Sequence, residues 1–242
     1  MQDTEIRIHT WRIEEREYRR QQERRGRRFA YPCLTPARTA LVVIDMVPFF
    51  VDANPYARGI APNIQQLADR LRAVGGTVAW VLPARTERTS VGDEFHGPEA
   101  AEMFRNSGGT GALPSRLWPG FATAPDDIFV EKSAPSAFFP SRCLLPDMLQ
   151  ERRVDTVLIT GTVTQVCCES SARDAFTLGY RVVMVADANA TGRDQDHNAT
   201  LATVYRSFGD VRPTAEVLDL IGAARETTVG IPDSGRGAHL AG

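Results

Sequence analysis

Long apolar runs are absent from this sequence. No segment approaches the roughly 18 consecutive apolar residues of a transmembrane helix, and the opening stretch Met1–Arg7 lacks the apolar core of a secretory signal. An excess of positive charge is also missing, because the formal net charge of the 242 residues is -2. These absences argue against membrane and nucleic-acid partners. We therefore expect a cytoplasmic protein that acts on a small molecule.

Sequence signatures of bound metals and nucleotides are missing as well. The four cysteines show no CxxC or zinc-finger spacing, and a cytoplasmic setting would keep them reduced. No strand is followed by GxGxxG, and no GxxxxGK[ST] loop occurs. Structural zinc and nucleotide cofactors are therefore not predicted. The cysteines are Cys33, Cys143, Cys167 and Cys168.

The two ends of the chain differ from its middle. Residues 1–30 contain a dense mixed-charge run, Trp11–Arg28, in which Thr10 could cap a helix. The sparse apolar residues of this run are Trp11, Ile13 and Tyr18. We predict a charged helical arm that is solvated, packed on its own domain or crossed to a neighbouring subunit. Residues 226–242 end in a polar, glycine-rich run, for which we predict a flexible tail.

Residues 31–225 alternate apolar runs with helical patterns. Ala40–Asp45 and Arg181–Ala186 are nearly continuous apolar runs, which are typical of strands buried on both faces. Strand–helix alternation of this kind predicts a single α/β domain, with a parallel sheet and helices on both of its faces. The connection 83–125 is irregular, and its length is more typical of a functional lid than of structural filler.

The run Val157–Gly179 contains the strongest chemical signal. It is typical of a buried strand, a sharp turn at Gly161, and a helix that carries Cys167 in its first turns. Helix N-termini present unsatisfied N–H groups and the positive end of the helix dipole. Both lower the pKa of a thiol and stabilise a developing oxyanion. Cys167 is therefore a candidate nucleophile.

Charged residues follow two other predicted strands. Asp45 closes the first strand and Lys132 follows the third, and the carboxyl ends of parallel strands share one edge of a sheet. A buried carboxylate is costly unless it is paired, and Lys132 is its natural partner. A lysine favours the thiolate of a neighbouring cysteine, and an aspartate can take the thiol proton. The alternative is a buried ion pair beside an inert cysteine.

Three segments together resemble the isochorismatase-like cysteine hydrolases. They are Val42–Met46, Glu131–Phe138 and Ile159–Ala175, in that order, within a resemblance that covers about residues 38–222. The resemblance implies a three-layer sandwich with a six-stranded parallel sheet. It also implies an Asp45–Lys132–Cys167 triad, a cis peptide at Thr162–Val163, and an oxyanion hole formed by the N–H groups of Val163 and Cys167. Cys168 stands where the family usually has a small apolar residue, and we expect it to pack in the core.

The segment after the first strand departs from the family pattern. It reads Asp45-Met-Val-Pro-Phe-Phe50, without the polar residues that relatives carry there. We expect Phe50 to form a wall of the substrate pocket. Trp80 and Phe138 are either core residues or further pocket walls. Large aromatic side chains dominate cores, which favours the core for Trp80, and we include both residues among the pocket candidates together with Thr162.

Histidine ligands for a metal are missing from the expected place. Nicotinamidase relatives bind a metal through an Asp-x-His element, and Val51–Asn54 contains no histidine. His96 and His197 are isolated, and we expect them at the surface or at a helix cap. We predict no metal and no cofactor.

The resemblance implies hydrolysis of a carbon–nitrogen bond through a thioester. The expected substrates are amides, ureides or N-carbamoyl compounds, and lactams. Relatives that cleave isochorismate lack the nucleophilic cysteine, so vinyl-ether hydrolysis is an alternative that needs no thiolate. A non-catalytic binding protein on the same fold is a second alternative. The resemblance also implies a homodimer or homotetramer, and we place the N-terminal arm at its interface.

Overall fold

A six-stranded, all-parallel sheet forms the centre of the molecule. The computed structural model describes the backbone of residues 5–229 and the side chains of residues 5–223. The strands are β1 Thr39–Ile44, β2 Thr77–Pro83, β3 Ile128–Lys132, β4 Thr156–Thr162, β5 Arg181–Ala190 and β6 Asp210–Arg212. They lie in the order β3-β2-β1-β4-β5-β6. The predicted six-stranded parallel sheet is therefore confirmed.

Helices cover both faces of this sheet. They are α1 Glu15–Arg25, α2 Pro48–Val51, α3 Pro55–Arg72, α4 Ser90–His96, α5 Pro98–Arg105, α6 Leu113–Arg116, α7 Leu145–Glu151, α8 Glu169–Thr177, α9 Asp194–Ser207 and α10 Thr214–Val229. Alternate residues of β1 point to opposite layers, because strand side chains alternate. Val42 packs with α7, α8 and α9 on one face, and Val43 packs with α3 and α10 on the other. The result is a three-layer sandwich.

The spacing of Ile64, Leu67 and Leu71 predicts a helix that starts at Asn63, but helix α3 begins eight residues earlier, at Pro55. The side chain of Asn54 caps it by accepting hydrogen bonds from the backbone N–H groups of Tyr56 and Ala57. Pro55 then occupies the first turn, where a missing N–H costs nothing. Prolines and glycine in this segment hide the helix from a periodicity analysis.

The long connection 83–125 contains short helices rather than the wholly irregular chain predicted for it. Buried Arg116 ties this lid to the sheet. Its guanidinium donates to the carbonyl oxygens of Gly108 and Pro83 and pairs with Glu131 at 2.7 Å. The lid is therefore fastened to the carboxyl ends of β2 and β3, directly beside Lys132.

The N-terminal arm packs on its own chain in this structure. Helix α1 begins at Glu15, so the prediction that Thr10 caps it is wrong, and the chain before Glu15 runs without regular structure over the body. Glu17 pairs with Arg206 of α9 at 2.7 Å, and Gln21 donates to the Arg206 carbonyl oxygen at 3.2 Å. The apolar residues Trp11, Ile13 and Tyr18 pack against the core.

The far end of the chain is helical for longer than expected. Residues 226–229 of the predicted tail continue α10. The rest of the tail, from residue 230, lies outside the described residues. Within residues 5–229, the helices are too short or too polar to cross a bilayer.

Candidate active site

Three predicted site residues meet at one edge of the sheet. Asp45 follows β1, Lys132 ends β3, and Cys167 lies in the turn after β4. All three side chains are buried in the described structure. The carboxyl ends of parallel strands meet at this edge, which brings residues 122 positions apart in sequence into contact.

Lys132 joins the other two residues. Its Nζ lies 2.9 Å from Asp45 Oδ2 and donates to Cys167 Sγ at 3.5 Å. It also donates to the carbonyl oxygen of Ala134 at 3.2 Å. The ammonium thus makes two hydrogen bonds and one ion pair, and the contact with Asp45 is close without being an aligned hydrogen bond. Lys132 is also the only lysine in the chain, in which arginine supplies the other 27 basic side chains.

Burial and charge determine the protonation of this triad. Burial alone would lower the pKa of Lys132, but attraction to Asp45 and Cys167 outweighs it and raises the pKa. Burial raises the pKa of Asp45, and the nearby ammonium opposes that shift. Burial and the Asp45 charge raise the pKa of Cys167 to about 12 against the effect of Lys132. The short Lys132–Asp45 contact and the raised pKa of Cys167 together favour an ammonium–carboxylate pair beside a neutral thiol.

Lys132 lowers the pKa of Cys167 as expected, but burial and the Asp45 charge outweigh this effect. A thiolate would add a second negative charge to a buried site that already contains Asp45 and only one cation. Transfer of the thiol proton to Asp45 keeps the net charge unchanged instead. The three groups therefore titrate as a coupled set, and Asp45 is the proton acceptor that is in place.

A close approach of β4 to β1 holds Asp45 in position. Gly161 has φ +114°, and a Cβ there would lie 2.1 Å from the carbonyl oxygen of Ile44, so this position requires glycine. Asp45 itself adopts φ +54°. The hydroxyl of Thr162 donates to the Asp45 carbonyl oxygen at 3.0 Å. Thr162 thus fixes the backbone of Asp45, and its place in the substrate pocket stays a prediction.

The nucleophile lies in a wide helical turn, Thr164–Cys168, between β4 and α8. The peptide bond Thr162–Val163 before it is cis. The backbone amide of Val163 lowers the pKa of the Cys167 thiol, against the larger effect of burial. It therefore favours negative charge on the reacting sulfur. The oxyanion hole formed by the N–H groups of Val163 and Cys167 stays a prediction.

Cys168 lies away from this chemistry. Its side chain is fully buried in the core cluster between the sheet and α8. Burial raises the pKa of its thiol well above the ordinary value. A neutral thiol packed against apolar neighbours is a poor nucleophile.

Two predicted pocket walls lie in the core instead. Trp80 is fully buried on the α3 face of the sheet, and its indole N–H donates to Asp127 at 2.7 Å, before the start of β3. Phe138 is also fully buried, with its ring 5.5 Å from that of Tyr180. The prediction that these two residues line the pocket is therefore wrong. Both faces of the sheet bury aromatic side chains, so an aromatic residue on a strand does not mark the site.

Phe50 is half-buried on α2, the helix that follows Asp45, and its role as a pocket wall stays a prediction. Its ring packs edge-on against Phe49 at 4.8 Å, and Phe49 faces Phe104 of the lid at 6.2 Å. Phe49 belongs to the apolar segment Pro48–Phe50 that the sequence places at the entrance of the site. No sequence pattern marks Phe104, whose contact with Phe49 depends on how the lid packs beside α2.

A cavity of about 700 Å³ opens between the lid and the segment after Lys132. Its walls include Arg85, His96, Phe104, Ser133, Pro135 and Arg142. A larger surface cavity, of about 880 Å³, is formed by residues that precede β1, β4 and β5. That second cavity lies at the opposite edge of the sheet from the triad. The lid cavity includes Ser133, the residue that follows Lys132, and so lies at the same edge of the sheet as the triad.

The two histidines singled out in the sequence have different positions. His96 lines the lid cavity. His197, expected at the surface or as a cap, is fully buried in α9, and its Nδ1 lies 3.0 Å from Thr164 Oγ1. Among the described residues, no group of three or more histidine, cysteine, aspartate or glutamate side chains is arranged to hold a metal ion.

Known proteins resemble this chain over most of its length. Residues 39–216 match the sequence profile of the isochorismatase domain. An uncharacterized isochorismatase family protein, YwoC of Bacillus subtilis, is 31% identical over 187 residues, which cover 76% of this chain and 94% of that protein. A ureidoacrylate amidohydrolase, RutB of Methylobacterium radiotolerans, is 30% identical over 233 residues, or 86% of each chain.

The similarity extends to three-dimensional structure. A cysteine hydrolase from Pseudomonas syringae pv. phaseolicola has a TM-score of 0.65 and 28% identity to this chain, with 81% of this chain and 97% of that one covered. The matched region of residues 39–216 contains the strands that carry Asp45, Lys132 and Cys167. Sequence profile, relatives and fold agree, and the chain belongs to the isochorismatase family.

Proposed function

We propose that this protein hydrolyses a carbon–nitrogen bond of a small amide, ureide or N-carbamoyl compound, or lactam, with Cys167 as the nucleophile. One observation carries the proposal: Lys132 Nζ contacts both Asp45 Oδ2 and Cys167 Sγ. A base, a cation and a thiol in one buried cluster suit acyl transfer. The similarity to a ureidoacrylate amidohydrolase supports this bond type.

The first half-reaction transfers the acyl group to sulfur. Asp45 accepts the Cys167 proton as the sulfur attacks the carbonyl carbon, and Lys132 stabilises the sulfur's negative charge. The resulting oxyanion accepts hydrogen bonds from the backbone N–H groups of Val163 and Cys167. Asp45 then gives its proton to the leaving nitrogen. The carbon–nitrogen bond breaks, ammonia or an amine departs, and a thioester remains on Cys167.

The second half-reaction uses water. Asp45 removes a proton from the water, whose oxygen attacks the thioester carbon, and the same proton returns to sulfur as the carbon–sulfur bond breaks. The products are a carboxylic or carbamic acid and the free thiol. Asp45 acts as base and acid in both halves, which its raised pKa favours.

A substrate screen tests this function. The full chain is incubated with a panel of amides, ureides and lactams, and release of ammonia or amine is measured with and without a chelator. We expect turnover of at least one compound in both conditions, loss of turnover in Cys167→Ala, and retention in Cys168→Ala as the matched control. Vinyl-ether hydrolysis that survives alkylation of Cys167 would contradict the proposal.

We also propose that the protein forms a homodimer or homotetramer in the cytoplasm, where a reducing environment would keep its free cysteines as thiols. Apolar side chains of the lid support association, because Val91, Phe95 and Met103 are at least half exposed. Exchange of the N-terminal arm between copies would preserve the contacts of α1 with α9. Light scattering of the full chain tests the association, and a monomeric mass would refute it.

A further inference from the structure

The N-terminal segment inserts a histidine beneath the nucleophile turn. The ring of His9 lies between those of Tyr56 on α3 and His197 on α9, with centroid distances of 4.0 Å and 4.2 Å and nearly parallel planes. The His9 side chain is 2% exposed. The stack therefore links the arm to two helices on opposite faces of the sheet.

Hydrogen bonds fix the orientation of the His9 ring. The backbone N–H of Thr191 donates to Nε2 at 3.1 Å, so this nitrogen carries no proton. The proton is therefore assigned to Nδ1, which donates to Asp194 Oδ1 at 2.6 Å. Both partners lie at the start of α9. His9 is thus held by the same helix end that carries His197.

His197 extends the connection to the turn. Its Nδ1 lies 3.0 Å from the Thr164 hydroxyl, and both side chains are fully buried. Burial lowers the pKa of His197 to about 3, so the ring is neutral near pH 7. Its Nε2 faces the carbonyl oxygen of Ala186 without an aligned hydrogen bond. This arrangement assigns the Nε2–H tautomer, in which Nδ1 accepts the hydroxyl proton of Thr164.

Thr164 begins the turn that orients the nucleophile. It directly follows Val163, whose backbone amide lowers the pKa of the Cys167 thiol. The Val163 carbonyl oxygen accepts from the N–H groups of Val166 and Cys168, which closes the same turn. A shift of Thr164 would therefore move the amide that stabilises negative charge on sulfur.

The segment that carries His9 is seated closely on α3. The Arg7 N–H donates to the Pro55 carbonyl oxygen at 3.1 Å, and Arg58 donates to the Glu5 carbonyl oxygen at 2.7 Å. A Cβ on Gly59 would lie only 2.0 Å from the Arg7 carbonyl oxygen. Substitution of Gly59 by alanine would therefore lift this segment without altering any ring of the stack.

A purely space-filling role for His197 does not explain its polar contact with Thr164. An apolar side chain at position 197 would fill the core without burying two ring nitrogens, one of which lacks an aligned partner. Burial of polar groups is unfavourable unless their hydrogen bonds are made. We propose that His197, oriented by His9 of the N-terminal segment, is a positioning residue that holds Thr164 and thereby the Val163 amide against the Cys167 sulfur.

The catalytic consequence rests on the proposed function, so the test uses thiol reactivity, which needs no substrate. Intact protein is treated with iodoacetamide from pH 6 to pH 10, and each cysteine is followed by peptide mass spectrometry. Cys33 is exposed and reports reagent activity, whereas buried Cys168 reports loss of the fold. The titratable groups that face the two regions are Asp45 and Lys132 at the thiol, and His9, Asp194 and His197 in the stack.

Thr164→Val removes the hydroxyl and keeps the shape. We expect about three- to tenfold slower alkylation of Cys167 and a pH profile displaced to higher pH, because one hydrogen bond that aligns the Val163 amide is lost. Thr164→Ser should restore the wild-type rate and profile. Thr203→Val is the matched control, because that hydroxyl donates only to the Ala199 carbonyl oxygen within α9.

The arm variants test the remote part of the connection. His9→Ala and Gly59→Ala should slow Cys167 in the same way, and Arg19→Ala, on the exposed side of α1, should not. The double variant His9→Ala/Thr164→Val should be no slower than Thr164→Val alone. Wild-type rates and profiles in His9→Ala and in Thr164→Val, with Cys168 unlabelled, would overturn the proposal. If Cys168 is labelled in Thr164→Val, that variant has lost its fold. The alkylation rates of Cys167 in His9→Ala, Gly59→Ala and Thr164→Ser then decide whether the proposal stands. A failed substrate screen would leave this result unchanged.

Discussion

Lys132 Nζ lies 2.9 Å from Asp45 Oδ2, and both side chains are almost completely buried. An ion pair in such a place is costly to form and more costly to break, because removing either partner leaves an isolated charge. The pair nevertheless lies within reach of a thiol. Its value therefore lies in chemistry, since it provides a base and a compensating cation at the same sulfur.

The substitution Asp45→Asn should change the acidity of the Cys167 thiol and the turnover of substrate in opposite directions. Because the Asp45 charge raises the pKa of Cys167, its removal should lower that pKa and leave Lys132 to stabilise the thiolate. We expect alkylation of Cys167 at pH 7 to become roughly ten times faster or more, while turnover disappears because no group accepts and returns the proton. Slower alkylation in this variant would contradict the charge state described above.

Lys132→Met should destabilise the fold by about 3–5 kcal/mol, because Asp45 is left buried and unpaired. Urea denaturation at pH 7 measures the loss. The double variant Asp45→Asn/Lys132→Met should recover part of it, since both charges are then absent. Because Lys132 is the only lysine, an amine reagent should label that position in unfolded protein only. Rapid labelling of Lys132 in the native protein would be inconsistent with its burial.

His197 should make the protein sensitive to acid. Burial lowers the folded pKa of His197 to about 3, below its ordinary value of 6.5, so the unfolded chain binds the proton more readily between these two values. Stability from this group is present above pH 6.5 and is lost as the pH falls toward 3. Between pH 7.5 and pH 5 the loss should be about 2 kcal/mol. His197→Asn should flatten that dependence in urea denaturation, and an unchanged slope would refute the assignment.

Deletion of residues 1–28 tests where the arm belongs. The deletion removes α1, with its Glu17–Arg206 pair and the apolar contacts of Ile13, and should lower the melting temperature. If arms exchange between copies, as proposed, the molar mass by light scattering should fall as well. A lower melting temperature at unchanged molar mass would show that each arm packs on its own chain.

The sequence predicts the sheet well and the site in part. Continuous apolar strands and polar residues at their carboxyl ends are local signals, which is why β1, β4 and the positions of Asp45 and Cys167 could be predicted. The face of the sheet on which each strand side chain lies could not be predicted, because both faces of this sheet are buried. Trp80 on β2 therefore carried no sign that it points away from the triad.

Long-range contacts explain the remaining differences. Arg116 fastens the lid through backbone carbonyl oxygens, which leave no trace in the residue pattern. His9 and Asp194 are 185 residues apart, and neither lies in a recognisable motif. The raised pKa of Cys167 also depends on burial and on Asp45 rather than on the local helix. Such features follow from packing, which sequence spacing does not encode.

The identity of the acylated cysteine tests the central claim most directly. A compound from the panel that turns over is mixed with the enzyme, the reaction is quenched with acid within one turnover, and peptides are mapped by mass spectrometry. The account predicts an acyl group on Cys167, none on Cys168, and no adduct in Asp45→Asn. An acyl group on Cys168, or full turnover by Cys167→Ala, would contradict it.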